Sequence, residues 1–287
     1  MKTLFVFNAS AGHRDMEERR AAIEAWLWER GLPFHYYTGD LRENSGEEIF
    51  SGYDHVVAVG GDGTAFWTVN KLMEAGVRGF SLLPAGSGND LARTLKIRGR
   101  LHDQLAAIFS APGRPLDVGQ WQERYFINIA SAGLDADVNA HFHRHRDRLR
   151  KRRLLGWLQA LVETAGSFDH LPILLHGREE RLAICTLGNG RYYGGGFPIL
   201  KEAEMDDGLL DLLTVDVRRI HLMIPFIISL FVGGSRRFTR GFTRERIQRL
   251  KLTLLRDTQV NLDGETFWYR GEVEVSIHPG ALTYYGQ

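Results

Sequence analysis

A buried strand that runs into glycine and straight out again as a helix constrains this chain more than any other feature, and it occurs twice. Residues 56–69 read VVAVGGDGTAFWTV, and residues 79–92 read GFSLLPAGSGNDLA. In each, a short apolar run ends in a glycine loop and a helical pattern follows without a spacer. Parallel strands joined by crossover helices need such junctions. Adjacent parallel strands bring both loops to one edge of the sheet, the carboxyl edge, where open α/β sheets take up ligands.

The flanking segments fit this frame. Residues 3–7 (TLFVF) read as a buried strand, 15–30 as a helix with Ile23, Trp26 and Leu27 at helical spacing, and 33–37 as a short strand. Strands at 55–59 and 79–84 follow, with a helix over 64–75 between them. Beyond Asp117 the pattern changes. Segments 125–131, 172–176, 181–187, 209–215, 250–254, 258–262 and 273–277 read as strands, many of them alternating or β-branched. Helical patterns interrupt them near 138–166 and 218–235. The expected architecture is an α/β N-terminal domain with a parallel sheet, residues 1–118, and a mainly-β C-terminal domain, residues 119–287, whose last residues pack back on the first. A chain of 287 residues is comfortable as two domains.

Glycines after a buried strand let backbone N–H groups approach an anion, and the following helix points its positive end at the same place. That describes a phosphate site. GxxxxGK[ST] is absent, and the dinucleotide fingerprint fails because Phe66 stands at its third glycine. Asp62 inside the loop would repel bare phosphate, so it is expected to act through a Mg²⁺ ion that arrives with the phosphates. Ser87 and Asn89 are expected to add hydrogen bonds from the second loop.

Three further stretches carry chemistry. LDGE (262–265) sets Asp263 and Glu265 about a glycine. In an extended segment, positions two apart face one side, so both are expected to look into one cleft. Asp-Gly is equally a hairpin-turn pair. MDDGLLDL (205–212) groups Asp206, Asp207 and Asp211, which suits either a solvated acidic turn or a hard cation. HRHRDRLRKRR (143–153) leads into LLGWLQALV, a basic amphipathic pattern for an anionic membrane surface or for a solvated helix packed through its apolar face. A second basic patch, Arg236, Arg237, Arg240, Arg244 and Arg246, follows the apolar run 222–232.

Composition excludes several classes. The net charge is +1, so no global field points to nucleic acid. A single cysteine, Cys185, makes no internal disulfide and reads as a small buried hydrophobe. No apolar run reaches the roughly 18 residues of a membrane span. MKTLFVFNASAG lacks the apolar core of a signal peptide, so a cytoplasmic protein is expected.

GGDGT and GSGND in this order resemble the nucleotide-binding motifs of the diacylglycerol kinase catalytic-domain family, which includes bacterial soluble lipid kinases and is related to sphingosine and ceramide kinases. NASAG (8–12) resembles the family's NPxAG loop, with Ala9 for the usual proline. INIASAGLDADV (127–138), GNGRYYGGGF (188–197), MDDGLLDL and LDGE complete the ordered series. Ser87 stands where threonine is usual and keeps the hydroxyl. The resemblance spans essentially the whole chain and implies an NAD-kinase-like first domain and a sandwich-like second. It implies ATP bound by Asn8, Thr38, Gly60, Gly61, Asp62, Gly63, Thr64, Ser87 and Asn89. It further implies a structural Mg²⁺ on the Asp207 side chain and the carbonyls of Glu204 and Leu209. It implies a base within LDGE, with Asp263 favoured over Glu265 and Asp62 the third catalytic carboxylate. The implied reaction moves the γ-phosphoryl group of ATP to a hydroxyl of diacylglycerol or a related lipid. The implied setting is peripheral, at the inner face of a membrane, with a homodimer permitted and no nucleic acid. GGDGT alone is shared with NAD kinases, so an NAD kinase is the second reading; a non-catalytic nucleotide or lipid sensor with the same fold is the third.

Overall fold

The computed structural model describes residues 1–7, 13–144, 159, 163–164, 169–216 and 242–287. The NASAG loop with Asn8, the basic segment from 145 onward, the run 222–232, and Arg236, Arg237 and Arg240 lie outside the described residues.

The first half alternates strand and helix: β1 (Thr3–Phe7), α1 (His13–Trp28), β2 (His35–Tyr37), α2 (Gly46–Phe50), β3 (His55–Gly60), α3 (Asp62–Ala75), β4 (Gly79–Pro84), α4 (Asp90–Thr94) and α5 (Leu101–Ser110). The strands are parallel, in spatial order β2-β1-β3-β4. β1 and β3 are buried along their whole length, as strands covered on both faces must be. Period-two alternation sorts their side chains. Phe5, Phe7, Val57, Val59 and Leu83 meet Ile23, Trp26 and Leu27 of α1 and Leu105 and Ile108 of α5. Leu4, Val6, Val56, Ala58, Phe80 and Leu82 meet Ala65, Val69 and Leu72 of α3 on the other face. α3 ends at Gly76, whose φ of 68° is left-handed, the conformation that glycine supplies at a helix end.

The second half comprises β5 (Arg114–Trp121), β6 (Arg124–Phe126), β7 (Ile129–Gly133), α6 (Leu134–Arg144), β8 (Leu171–Leu175), β9 (Arg178–Leu182), β10 (Ile184–Gly188), β11 (Leu210–Val215), β12 (Phe242–Ile247), β13 (Arg249–Leu262) and β14 (Glu265–Tyr284). Here the pairing is antiparallel, in order β12-β11-β10-β7-β13-β14. The β8–β9 hairpin adds to β13. β14 pairs with β13, then with β5, and ends beside β4, where Thr283 opposes Gly79 and Tyr284 opposes Phe80 in parallel register. A bulge between His278 and Leu282 redirects it there. Tyr284 and Leu282 are thus buried in the core of the first half, with Val56 and Phe80.

Four expected strands come out differently. Residues 125–131 split into β6 and β7, because the backbone at 127–129 turns toward the Asp263 carboxylate. Residues 181–187 split at Ala183, whose N–H donates to the Val215 carbonyl and whose carbonyl accepts from Leu134. Segments 250–254 and 258–262 form the single strand β13, with a register shift between Leu254 and Thr258. The change of pattern near Asp117 falls inside β5. Cys185 is buried in β10. Among the described residues, no helix is long and apolar enough to cross a membrane.

Tyr284 tests the closure of the fold. Tyr284→Ala, three residues from the end of the chain, is expected to cost about 3–5 kcal/mol, as for a core aromatic, measured by chemical denaturation. A loss under about 1 kcal/mol, the range of a surface change, would remove the strand end from the core.

Candidate functional site

The two glycine loops leave the sheet side by side, since Gly60 opposes Pro84 and the Ala85 N–H donates to the Gly60 carbonyl at 2.8 Å. They touch backbone to backbone. A Cβ on Gly86 would lie 2.5 Å from Gly61 Cα, closer than backbone atoms can yield. Glycine at both positions is therefore needed for the loops to meet at all. Asn89, at φ 56°, folds its side chain back on its own loop: Oδ1 accepts from the Gly86 N–H at 3.0 Å and Nδ2 donates to the Gly86 carbonyl at 2.7 Å. Asn89 thus braces the second loop.

Asp62 opens α3 and crosses to the neighbouring loop, where Oδ1 accepts from the Leu91 N–H at 3.0 Å. Gly88 leaves room for Oδ2, which a Cβ would approach to 2.9 Å. Burial raises the Asp62 pKa, against the backbone donors of residues 89–91 and the charge of Arg93. The carboxylate among the glycines therefore pins the second loop to the first. Thr64 is buried above Gly60, its hydroxyl without a protein partner among the described residues. Ser87 is exposed on the second loop, and Thr38 is exposed beyond the carboxyl end of β2. Arg19 reaches the same edge from α1: Nη2 donates to the Pro84 carbonyl at 3.1 Å, and Nε is buried without a described partner. Burial lowers its pKa.

The second half meets these loops through LDGE. The segment is not extended; Asp263 (φ 51°) and Gly264 (φ 102°) are the two central residues of a tight hairpin between Leu262 and Glu265, as Asp-Gly permits. The two carboxylates therefore part. Asp263 is buried and accepts three backbone N–H groups: Ile127 on Oδ2 at 2.6 Å, and Asn128 and Ile129 on Oδ1 at 2.9 and 2.7 Å. Burial pushes its pKa up to about 7 against those donors, and Asp62 adds to the rise. Glu265 opens β14 and lies against the first glycine loop, its Oε1 3.0 Å from where a Cβ on Gly63 would stand.

GNGRYYGGGF docks on α4. The Gly195 N–H donates to Asp90 Oδ2 at 2.8 Å, and Arg93 bridges Asp90 Oδ1 at 3.0 Å and the Gly88 carbonyl. Asn128 ties the same region together, accepting from Thr94 Oγ1 at 3.2 Å and donating to the Tyr192 carbonyl at 2.7 Å. Burial pushes Asp90 up to about 6, with the Asp62 charge adding. Sequence reading missed Asp90, Arg93, Asn128 and Arg19. Asp90 was legible as the second acid of the glycine loops; the others carry no local signal.

The MDDGLLDL turn leads into β11. The Asp117 carboxylate holds it, accepting the Gly208 N–H on Oδ2 and the Gly280 N–H on Oδ1, both at 2.7 Å. Asp207 Oδ1 accepts from the Leu209 N–H at 3.0 Å, and Oδ2 pairs with the Arg246 guanidinium. Glu204 is exposed, and among the described residues no group of three acidic, His or Cys side chains converges as a metal site.

Residues 2–121 match the diacylglycerol kinase catalytic domain, and residues 128–285 match the YegS C-terminal NAD kinase beta sandwich-like domain. A protein of Pseudomonas aeruginosa (PAO1) described as "Probable lipid kinase YegS-like" is 30% identical over 283 residues, 93% of this chain and 88% of that protein. One of the same description from Pseudomonas savastanoi pv. phaseolicola is 29% identical, over 97% of this chain and 91% of the other. Among solved structures, a diacylglycerol kinase from Bacillus anthracis shares the fold at TM-score 0.71 and 20% identity, covering 100% of this chain and 97% of its own. An NAD kinase from Archaeoglobus fulgidus in complex with ATP shares it at TM-score 0.54 and 14% identity, over 99% and 93%. The fold is thus an NAD-kinase-like α/β half joined to a beta sandwich-like half, and the chain belongs to the diacylglycerol kinase catalytic-domain family, among its YegS-like members.

The raised pKa of Asp90 has a sign. Between pH about 4, where an unfolded Asp ionises, and about 6, the folded carboxyl still holds its proton. The fold then binds more protons than the unfolded chain, so stability falls as pH rises through that window. Asp90→Asn is expected to flatten this fall in melting temperature; a profile parallel to the wild type would mean that Asp90 is ionised throughout.

Proposed function

We propose that this chain is an ATP-dependent lipid kinase that transfers the γ-phosphoryl group to a hydroxyl of diacylglycerol or a related neutral lipid. One observation carries the reading: the LDGE hairpin of the second half seats the Glu265 carboxylate against Gly63, in the glycine loop of the first. A proton acceptor and an anion cradle then share one cleft, which is what phosphoryl transfer asks of a protein.

The triphosphate lies along the two loops, over the backbone of Gly60, Gly61 and Gly63 at the positive end of α3. Thr64 and Ser87 add hydroxyls, and Thr38 borders the nucleotide. Arg19 supplies a cation at the same edge. The donors present suit Mg²⁺, which favours oxygen and is usually held by one or two carboxylates together with substrate phosphates. Asp62, together with the phosphates, would hold the ion, which would neutralise their charge. The acceptor hydroxyl approaches beside Glu265, which takes its proton. Asp263 is not the base in this reading, because its oxygens are engaged by three backbone donors; it positions the hairpin. The lipid is reached from a membrane surface, and the basic stretch 143–153 is the part of the sequence suited to that contact.

Labelled-phosphate transfer from ATP to micellar diacylglycerol, monoacylglycerol, ceramide and sphingosine, with NAD as control, tests the reaction. Label on NAD alone would make the chain an NAD kinase, and bound ATP without transfer to any acceptor would make it a sensor. Glu265→Gln is expected to lower kcat by roughly 10²–10⁴-fold, the usual contribution of a general base, with the melting temperature unchanged. Asp263→Asn is expected to lower stability as well, since its amide NH₂ would face a backbone donor. Near-normal turnover in Glu265→Gln, with loss of rate alone in Asp263→Asn, would return the base to Asp263.

Arg19→Ala is expected to raise KM for ATP about tenfold, one charge-assisted hydrogen bond of about 1.5 kcal/mol, with a smaller change in kcat. An unchanged KM would confine Arg19 to holding α1 against β4.

A further inference from the structure

The acidic turn at 205–209 is paired with a cation of the chain itself, the Arg246 guanidinium. Asp117 clamps the turn from β5 by accepting the Gly208 N–H, and Gly208 takes a left-handed φ of 74°. The turn is thereby held in one shape, with Asp207 and Asp211 on the same side. Their side chains are only 20% and 15% exposed. Two largely buried carboxylates beside one guanidinium are stabilised by its positive charge.

That charge is Arg246. In the β11–β12 pairing Arg246 stands directly opposite Asp211, so its position follows from strand register rather than from a chance rotamer. Its guanidinium pairs with Asp207 Oδ2, and its Nε lies 3.9 Å from Asp211 Oδ1. Asp207 Oδ1 is turned to the Leu209 N–H at 3.0 Å. A Mg²⁺ ion here would need Asp207 oxygen at about 2.1 Å within a nearly octahedral shell. An oxygen in contact with a guanidinium is not open to it, and the guanidinium repels the ion.

We infer that Arg246 takes the place of a structural divalent cation in this chain, so that the Glu204–Asp207–Leu209 turn binds no metal while Arg246 is present. The inference concerns the fold of the second half and is independent of the reaction proposed above. An arginine suits the role, since its fork of donors can serve two carboxylates at once.

The test uses the full chain without nucleotide. Melting temperature is measured in EDTA and in excess MgCl₂, and bound Mn²⁺ is counted by equilibrium dialysis as a Mg²⁺ surrogate. The wild type is expected to melt at the same temperature in both buffers and to show no Mn²⁺ that Asp207→Asn removes. Arg246→Ala is expected to melt roughly 2–4 °C lower in EDTA, to recover on adding Mg²⁺, and to bind about one Mn²⁺ per chain, as a vacated carboxylate site allows. Adding Asp207→Asn to it is expected to abolish that binding. Arg246→Gln, close in length and uncharged, replaces the alanine variant if that fails to fold. Mn²⁺ bound to the wild type and lost in Asp207→Asn would overturn the inference. So would absence of binding in both Arg246 variants, since the turn would then be no cation site and the ion pair an ordinary one. Neither readout depends on turnover, so a failure here and a failure of the kinase reading are separable.

Discussion

The Asp263 carboxylate, held by three consecutive backbone N–H groups, is the interaction on which the rest of the site depends. Those donors belong to residues 127–129, the segment that leads from β6 to β7. One buried side chain thereby breaks a strand, anchors the β13–β14 hairpin and fixes where β14 begins. Because β14 begins there, Glu265 faces the first glycine loop. Because β14 is long enough to reach β4, the same hairpin ties the two halves at both ends. The anchor is costly to ionise in a dry place, and the three donors are what make it tolerable.

The same logic recurs at lower stakes around the loops. Asp62 bonds to the start of α4, Asp90 bonds to the Gly195 backbone, and Asp117 clamps the acidic turn. In each case a short acidic side chain takes backbone donors from a different stretch of chain. Carboxylates suit this work because each accepts several hydrogen bonds and charge makes them stronger. The consequence is crowding of like charge at the cleft, which raises the pKa of Asp90 and Asp263 in addition to burial. Such a cleft favours an arriving cation, which suits a nucleotide that carries its own metal.

Much of the first half was legible because its signals are local. β1, β3 and β4 are continuous apolar runs, and glycines announce the turns that follow β3 and β4. In the second half, strand existence was readable from alternation, but strand limits were not. Ala183 and residues 127–128 leave the ladders to bond elsewhere, and no neighbouring residue records that choice. At the site, Gly60, Gly61, Gly63, Thr64 and Ser87 sit at the loops as expected. Asn89 is turned inward as a brace, and Asp263 is turned inward as an anchor. Residue type showed that these side chains take part but not which way they point.

Sequence by itself determined the strand–glycine–helix units, the parallel half and the antiparallel half. These rest on periodicity, on glycine's conformational range and on the chemistry of single side chains, all of which are properties of short stretches. Only the tertiary structure decided what each carboxylate touches. Asp263 meets residues 127–129, Asp62 meets α4, and Asp207 meets Arg246, across 134 to 136, 29 and 39 positions of chain respectively. A buried charge must find its partner wherever packing brings one, and strand register, which no single segment encodes, settles where that is.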